Sequence, residues 1–125
     1  MKGAWVIAGA LALAPGAAFA ADWVSVGKST TGTEALVDAQ SIAQSGTATR
    51  VWVKFVYSKP QASGASSTSQ LYALHCVARE YRVVSFADYA SDGNVVRSGR
   101  GMEQLEPIIP ESMAEAVHGA VCPRS

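Results

Sequence analysis

The positions of the two cysteines restrict the fold of this chain more than any other feature of its sequence. Cys76 lies past the middle of the chain, and Cys122 lies beside Pro123 near the last residue. A bond between them closes a loop of about 47 residues, and the chain entropy removed by such a loop stabilises the fold by roughly 4 kcal/mol. Whether the bond forms depends on the redox state of the compartment in which the chain folds. Export of the chain therefore determines whether the disulfide can form.

The first twenty residues have the pattern of a secretory signal peptide. Lys2 gives a positive start, residues 5–14 form an uncharged and mostly apolar run, and Ala18-Phe19-Ala20 matches the small-x-small rule for cleavage. The apolar run is much shorter than the ~20 residues that a membrane-spanning helix needs. A buried N-terminal helix is the alternative interpretation. We predict a signal peptide at residues 1–20 and a single mature domain at residues 21–125.

The predicted cleavage site has no neighbouring cysteine, although a lipid-anchored envelope protein would need one there. We therefore expect a periplasmic or secreted protein without a lipid anchor or a membrane span. Thiols oxidise outside the cytosol, so Cys76 and Cys122 can pair, and only one pairing exists. The alternatives are two free thiols or a metal pair. Two cysteines do not make a zinc site, and we expect neither a metal nor a cofactor.

The charge balance of the predicted mature chain argues against nucleic acid as a partner. Without Lys2, nine of the ten basic side chains remain against ten acidic ones, which gives a net charge of −1. Such a chain has no broad positive field to attract nucleic acid or anionic lipid. The sequence also has no basic run, no glycine-rich phosphate loop and no internal repeat.

Alternating hydrophobicity predicts a series of antiparallel strands. The segment TRVWVKFVY, residues 49–57, carries the strongest signal, because valine and aromatic residues alternate in the way that a pleated sheet favours. The turn Ser91-Asp92-Gly93-Asn94 predicts a hairpin, since glycine tolerates the positive φ that a tight turn needs. In all we predict six strands, near residues 23–26, 34–38, 49–57, 70–77, 81–89 and 94–98.

The C-terminal segment changes to a helical period. Ser112 and Glu115 have the spacing of a capping box, and an apolar stripe at helical spacing consists of Met113, Ala116, Val117 and Ala120. At 100° per residue Cys122 falls opposite Met113, so we expect the helix to unwind near Gly119 and let Cys122 turn inward. Strands followed by one helix indicate the α+β class. The predicted fold is an antiparallel sheet of about six strands, with a C-terminal helix packed on one face and tied by the disulfide.

The sequence gives little support for catalysis, and we expect a protein that is not an enzyme. His75 lies in mid-strand among apolar neighbours, and His118 lies near a helix C-terminus, where a cation is favourable. Asp88 and Asp92 flank the hairpin turn, and turn chemistry explains them better than paired acid and base roles do. No serine has the flanking residues of a nucleophile elbow.

Three sets of residues could form a binding surface. Trp52 could be an exposed aromatic anchor beside Arg50 and Lys54, or it could belong to the helix-covered core, and the sequence leaves both placements open. Four arginines fall on adjacent hairpin strands and form either a modest basic patch or a solvated face, namely Arg79, Arg82, Arg97 and Arg100. The serine-rich loop at residues 58–69 is either a binding loop or only a connector.

The order of several short motifs resembles the surface-adhesin protein E-like domain of bacterial envelope proteins. These motifs are ALVDAQSI, RVWVKF, HCVAREYRVVSFADYASDGNVVRS and EPIIPESMAEAVHGAVC. The resemblance implies a single antiparallel sheet packed by a C-terminal helix, with Cys76 bonded to Cys122. It also implies adhesion to host matrix and serum proteins such as laminin and vitronectin, and it supplies no catalytic residue. The family's namesake is a lipoprotein, whereas this chain lacks the lipidated cysteine.

We therefore predict an exported, non-catalytic binding module that engages a protein partner at the cell envelope or the host surface. The alternative is a structural or accessory periplasmic protein with no adhesive role.

Overall fold

The structure is a computed structural model that describes residues 21–123. The predicted signal peptide, residues 1–20, lies outside the described residues. Within residues 21–123 the chain forms eight strands and one C-terminal α-helix. The strands are β1 (Trp23–Lys28), β2 (Glu34–Asp38), β3 (Ala43–Ser45), β4 (Ala48–Val56), β5 (Ser67–His75), β6 (Glu80–Tyr89), β7 (Val95–Arg100) and β8 (Glu106–Pro107), and the helix is α1 (Met113–Val121).

All strands of the described residues belong to one antiparallel sheet. Six of them follow the order β1-β2-β4-β5-β6-β7, and the two short strands β3 and β8 pair with β4 and β6 respectively. This arrangement confirms the predicted α+β class, with six main strands and a C-terminal helix. The sequence pattern did not predict β3 and β8. β3 has only three residues, all of them exposed, and β8 has two residues that include Pro107, which lacks the N–H of a central strand.

The strong alternation of β4 separates its two faces. Val51 and Val53 are fully buried on one side, whereas Trp52 and Lys54 are half-buried on the other. The neighbouring strand β5 adds Leu74 to the buried side. Because antiparallel strands place paired residues on the same face, this alternation extends across the sheet and fixes which face forms the core.

The predicted hairpin turn joins β6 to β7. Gly93 has a φ of 91°, which glycine adopts without steric cost. The backbone N–H of Ala90 donates to the Asn94 carbonyl at 2.9 Å, and the Asp92 Oδ1 accepts from the Asn94 N–H at 2.9 Å. The turn residues therefore close the hairpin as the sequence predicts.

Helix α1 begins at the predicted cap. The Ser112 hydroxyl accepts a hydrogen bond from the Glu115 N–H at 3.2 Å, and the Glu115 carboxylate accepts one from the Glu111 N–H at 2.8 Å. The first bond satisfies an N–H group that the first helical turn leaves without a partner, and the second ties the residue before the cap to the helix. Ser112 and Glu115 together explain why the helix starts after Pro110 and not earlier.

The buried face of α1 differs from the predicted stripe. Ala114 and Val117 are buried, whereas Ala120 is exposed. The expected unwinding near Gly119 is also wrong, because the helix continues to Val121. Cys122 then ends it with an extended backbone, φ −82° and ψ 142°, which turns the side chain toward the sheet.

The predicted disulfide joins the end of α1 to the end of β5. Cys76 and Cys122 are bonded, with their Cα atoms 5.7 Å apart and a sequence separation of 46 residues. A ring nitrogen of His118 also lies 3.0 Å from the Cys76 carbonyl oxygen. Cys122 belongs to the same buried cluster as Val117 and Leu74, so the crosslink holds the helix at the core and not at its margin.

Alkaline pH is expected to destabilise this core through Tyr72, which is buried with its ring centroid 5.0 Å from that of Tyr81. Burial raises the pKa of Tyr72, and the nearby Tyr81 phenol raises it further. Since the unfolded phenol has a pKa of about 10, this stability is complete below pH ~10 and is lost as the pH rises toward the folded-state pKa. Urea unfolding should show a free energy of unfolding that falls by up to ~1.4 kcal/mol for each pH unit above pH ~10.

The variant Tyr72→Phe is the control, because it keeps the buried ring and removes the ionisable group. It should show a clearly smaller loss of stability between about pH 10 and pH 12 than the parent protein does. Burial also raises the pKa of Tyr81, so part of the slope should remain. Identical slopes in the two proteins would contradict the assignment to Tyr72.

Candidate functional site

Helix α1 covers only one face of the sheet, the face that carries Val51 and Val53. It packs against β1 and β2, and Val117 joins the buried cluster of that face. No helix within residues 21–123 packs on the opposite face, which we call the open face. The strand register places on the open face the side chains of Trp23, Leu36, Arg50, Trp52, Lys54, Leu71, Arg82 and Arg100.

Trp52 lies on the open face and not in the helix-covered core. It alternates with the fully buried Val51 and Val53 along β4 and pairs with Leu71 of β5. Its backbone N–H donates to the Ser41 hydroxyl at 2.9 Å, which ties the 3₁₀ turn after β2 to this strand. The indole is therefore partly buried by its neighbours on the open face and partly exposed to solvent.

Arg50 and Lys54 flank Trp52 on the same face. The Lys54 ammonium lies 4.3 Å from the centroid of the Trp23 ring, a cation–π distance. The Nε of Arg50 is buried and has no hydrogen-bond partner. Among the described residues, no other buried side-chain nitrogen or oxygen lacks a partner. The structure thus places the predicted residues Arg50, Trp52 and Lys54 on one face. Trp23 lies next to Lys54.

The four arginines do not form one patch. Arg82 and Arg100 lie together on the open face, where they line a cavity of about 420 Å³ with Glu103, and the Arg82 Nη1 donates to the Met102 carbonyl at 3.3 Å. Arg79 lies in the turn between β5 and β6, and its Nη2 is 3.0 Å from the Glu115 carboxylate of α1. The four arginines therefore do not form the single basic patch that the sequence allowed.

Arg97 lies on the face opposite to Arg100, because residues three apart along a strand point to opposite sides. Its Nη2 is 3.0 Å from an Asp88 carboxylate oxygen. Asp88 is 4% exposed and also accepts from the Thr68 hydroxyl at 2.8 Å, and that hydroxyl lies 2.8 Å from the Tyr57 phenol. This network satisfies a buried carboxylate, so Asp88 and Arg97 have a structural role.

One end of the open face forms a groove of about 630 Å³. Its floor is the serine-rich start of β5, and its sides come from β1 and β4 on one side and from the end of β6 on the other. The residues that line it are Trp23, Lys54, Val56, Ser66, Ser67, Ser69, Tyr89, Ala90, Ser91 and Gly93. Trp23 and Tyr89 could not be recognised as site residues from the sequence, because only the register across β1, β2, β4, β5 and β6 brings them to one groove.

Among the described residues, the cavity beside His75 offers no carboxylate that could act with it as an acid–base pair. His75 borders a cavity of about 480 Å³ whose described lining, which includes Gln44, Thr47 and Thr49, has no carboxylate. Its Nδ1 lies 3.5 Å from the Thr47 hydroxyl. Within residues 21–123, no three His, Cys, Asp or Glu side chains are grouped so that they could hold a metal ion.

Among the described residues, no helix is both long enough and apolar enough to span a membrane. The model of the family described as surface-adhesin protein E matches residues 23–123, a range that includes every strand and the helix of the structure. Searches of curated proteins and of solved structures found no match to the chain.

Proposed function

The chain belongs to the surface-adhesin protein E family, and from that premise we propose that it is an exported, non-catalytic binding module for a protein partner. The partner lies at the cell envelope or on the host surface, and it contacts the open face of the sheet. The observation that carries this proposal is the position of Trp52, partly exposed between Arg50 and Lys54 on the face that α1 leaves uncovered.

The residue types on the open face support a protein partner. Tryptophan and arginine are enriched in the buried centres of protein interfaces, and they supply a large share of the residues whose loss costs the most affinity. Leu71 of β5 pairs with Trp52, and Leu36 of β2 pairs with Lys54, so both leucines add apolar area to this part of the open face.

Export is part of the proposal. The pattern of residues 1–20 is that of a cleaved signal peptide, and a structural disulfide such as Cys76–Cys122 is typical of proteins that work in an oxidising compartment. The family supports an envelope or exported location. In the proposed location, the periplasm or the exterior, the open face is available to envelope proteins or to host proteins.

Substitution of Trp52 tests the proposed contact. The purified protein and its Trp52→Ala variant are compared for binding to laminin, to vitronectin and to a detergent extract of the organism's own envelope. We expect Trp52→Ala to weaken binding by at least about tenfold, because truncation of an interface tryptophan removes buried apolar area from the contact. The matched control is Ile109→Ala, which truncates a side chain that is 58% exposed. It should bind as the parent protein does.

Thermal unfolding of the same variants separates contact from packing. If Trp52→Ala binds normally and only its melting temperature changes, Trp52 packs on the sheet and the proposed contact is wrong. Digestion of intact cells with protease then distinguishes the two locations. Cleavage of the protein supports display at the surface, whereas full protection supports the alternative, an accessory periplasmic protein without an adhesive role.

A further inference from the structure

We propose that the groove at the end of the open face binds an acidic sugar, that is, one glycan residue that carries a carboxylate. We call it the sugar groove, and it is the cavity lined by Trp23, Lys54, Tyr89 and the serines of β5. Trp52 does not line it. The groove shares Lys54 with the protein contact proposed above, but it does not depend on Trp52, so each proposal can fail without the other.

The charge of the sugar groove selects a ligand with a single negative charge. Lys54 is the one charged residue that lines it, and no carboxylate does. The ion pairs of the described residues, Arg79–Glu115 and Arg97–Asp88, leave Lys54 out. The Trp23 ring holds the ammonium at 4.3 Å without neutralising it. A ligand carboxylate at this point would gain a charge-assisted hydrogen bond.

The floor of the groove suits a ligand with many hydroxyls. Ser67 and Ser69 lie two residues apart on β5, so their side chains point to the same face, and Ser91 lies at the rim. The side-chain hydrogen bonds found among residues 21–123 do not engage these three hydroxyls. A serine hydroxyl donates one hydrogen bond and accepts others, which matches the mixed donors and acceptors of a sugar.

The sides of the groove suit the apolar face of a sugar ring. In the register, Val56 pairs with Ser67 and Ser67 pairs with Tyr89, so Val56 and Tyr89 are two strands apart. That separation is about 9.6 Å between backbones, which leaves room for one sugar ring above the serines. Trp23 and Tyr89 are both half-buried and offer ring surface to the C–H groups of such a ligand.

Other anions fit this groove less well. A phosphate is usually held by arginine forks or by a helix N-terminus, and the groove has a single lysine and no arginine. An extended acidic peptide that adds to a sheet bonds to the backbone of an edge strand, whereas the floor here is β5, which is paired on both sides. Aromatic sides, a hydroxyl floor and one cation together indicate a carboxylated sugar.

Nuclear magnetic resonance titration of the purified protein, expressed from the full chain, tests the sugar groove. The probes are 3′-sialyllactose and glucuronic acid, with lactose and glucose as their neutral counterparts. We expect at least one acidic probe to bind at roughly millimolar concentration and to shift the signals of Ser67, Ser69, Ser91 and the Trp23 indole. Sialyllactose alone would indicate a host glycan, and glucuronic acid alone a uronic acid polymer.

Variants locate the charge that recognises the probe. Lys54→Gln should weaken binding of the acidic probe by at least about tenfold, since it removes a hydrogen bond to a charged group. Lys28→Gln also removes one positive charge, at an exposed position of β1 that does not line the groove, and it should leave binding unchanged. Trp52→Ala should also bind the probe normally, even where it loses the protein partner.

Three results would overturn the proposal. The first is the absence of binding by either acidic probe, and the second is equal binding of lactose or glucose. The third is an equal loss of binding in Lys54→Gln and Lys28→Gln. The parent protein supplies the first two results and the two lysine variants supply the third, so the outcome does not depend on a variant that alters the core.

Discussion

Loss of the Cys76–Cys122 disulfide is expected to lower the free energy of unfolding by about 2–4 kcal/mol, a large part of the 5–15 kcal/mol of a typical domain. The bond closes a loop with a sequence separation of 46 residues, which restricts the unfolded chain. It also holds α1, whose nine residues form too short a helix to be stable alone. Urea unfolding of the double variant Cys76→Ala/Cys122→Ala against the parent protein measures the loss.

Hydrogen exchange distinguishes the two contributions of the disulfide. In the double variant, the amides of α1 should lose protection first, whereas the central strands β4 and β5 should lose protection only with global unfolding. The reduced parent protein serves as the control, because its sequence is unchanged. A loss of stability below about 1 kcal/mol, with α1 as protected as before, would show that packing alone holds the helix.

Truncation of Leu74 should have an effect of similar size. Leu74 is fully buried in β5, in the cluster that contains Val51 and Val117, so Leu74→Ala opens a cavity in that core. The expected loss in the free energy of unfolding is about 2–5 kcal/mol. Denaturant unfolding at neutral pH measures it.

The control for Leu74 is Leu105→Ala, the same substitution at a side chain that is 39% exposed. Leu105→Ala should cost less than about 1 kcal/mol, because less apolar surface leaves water at that position on folding. Similar losses for the two leucines would mean that Leu74 does not belong to the buried core as described.

The strands that alternate strongly were predictable from the sequence. In β4, valine and aromatic side chains repeat every second residue over a long segment, and the turn at Gly93 has the residues that a hairpin requires. The helix start was also predictable, because Ser112 and Glu115 act through local hydrogen bonds that the sequence spacing reveals. Local chemistry determines these elements, so a single sequence is sufficient to identify them.

Features that depend on the assembly of distant strands were not predictable. Alternation puts Trp52 opposite to Val51, but it does not say which of the two faces the helix covers. That choice follows from the packing of α1 on β1 and β2, with Val117 in the core. The face of the helix itself was misjudged by one residue, because Ala116 and Ala114 are equally apolar in sequence, and only contact with the sheet decides between them.

The candidate site was predicted only where its residues are neighbours in sequence. Arg50, Trp52 and Lys54 share one strand, so their common face follows from a period of two. Trp23 and Tyr89 join Lys54 through the pairing of five strands, for which the sequence contains no local signal. The arginine set was misjudged for the same reason, since the partner of Arg79 lies on the distant helix α1.

The proposed function depends on the claim that the open face is the contact surface. The most direct measurement introduces a photoreactive benzophenone amino acid in place of Trp52, and separately in place of Ala120, which is exposed on α1. Cells that produce each protein are irradiated, alone and on host matrix, and the crosslinked products are identified by mass spectrometry. The account predicts a discrete protein adduct from position 52 and none from position 120. An adduct from position 120 without one from position 52 would contradict it.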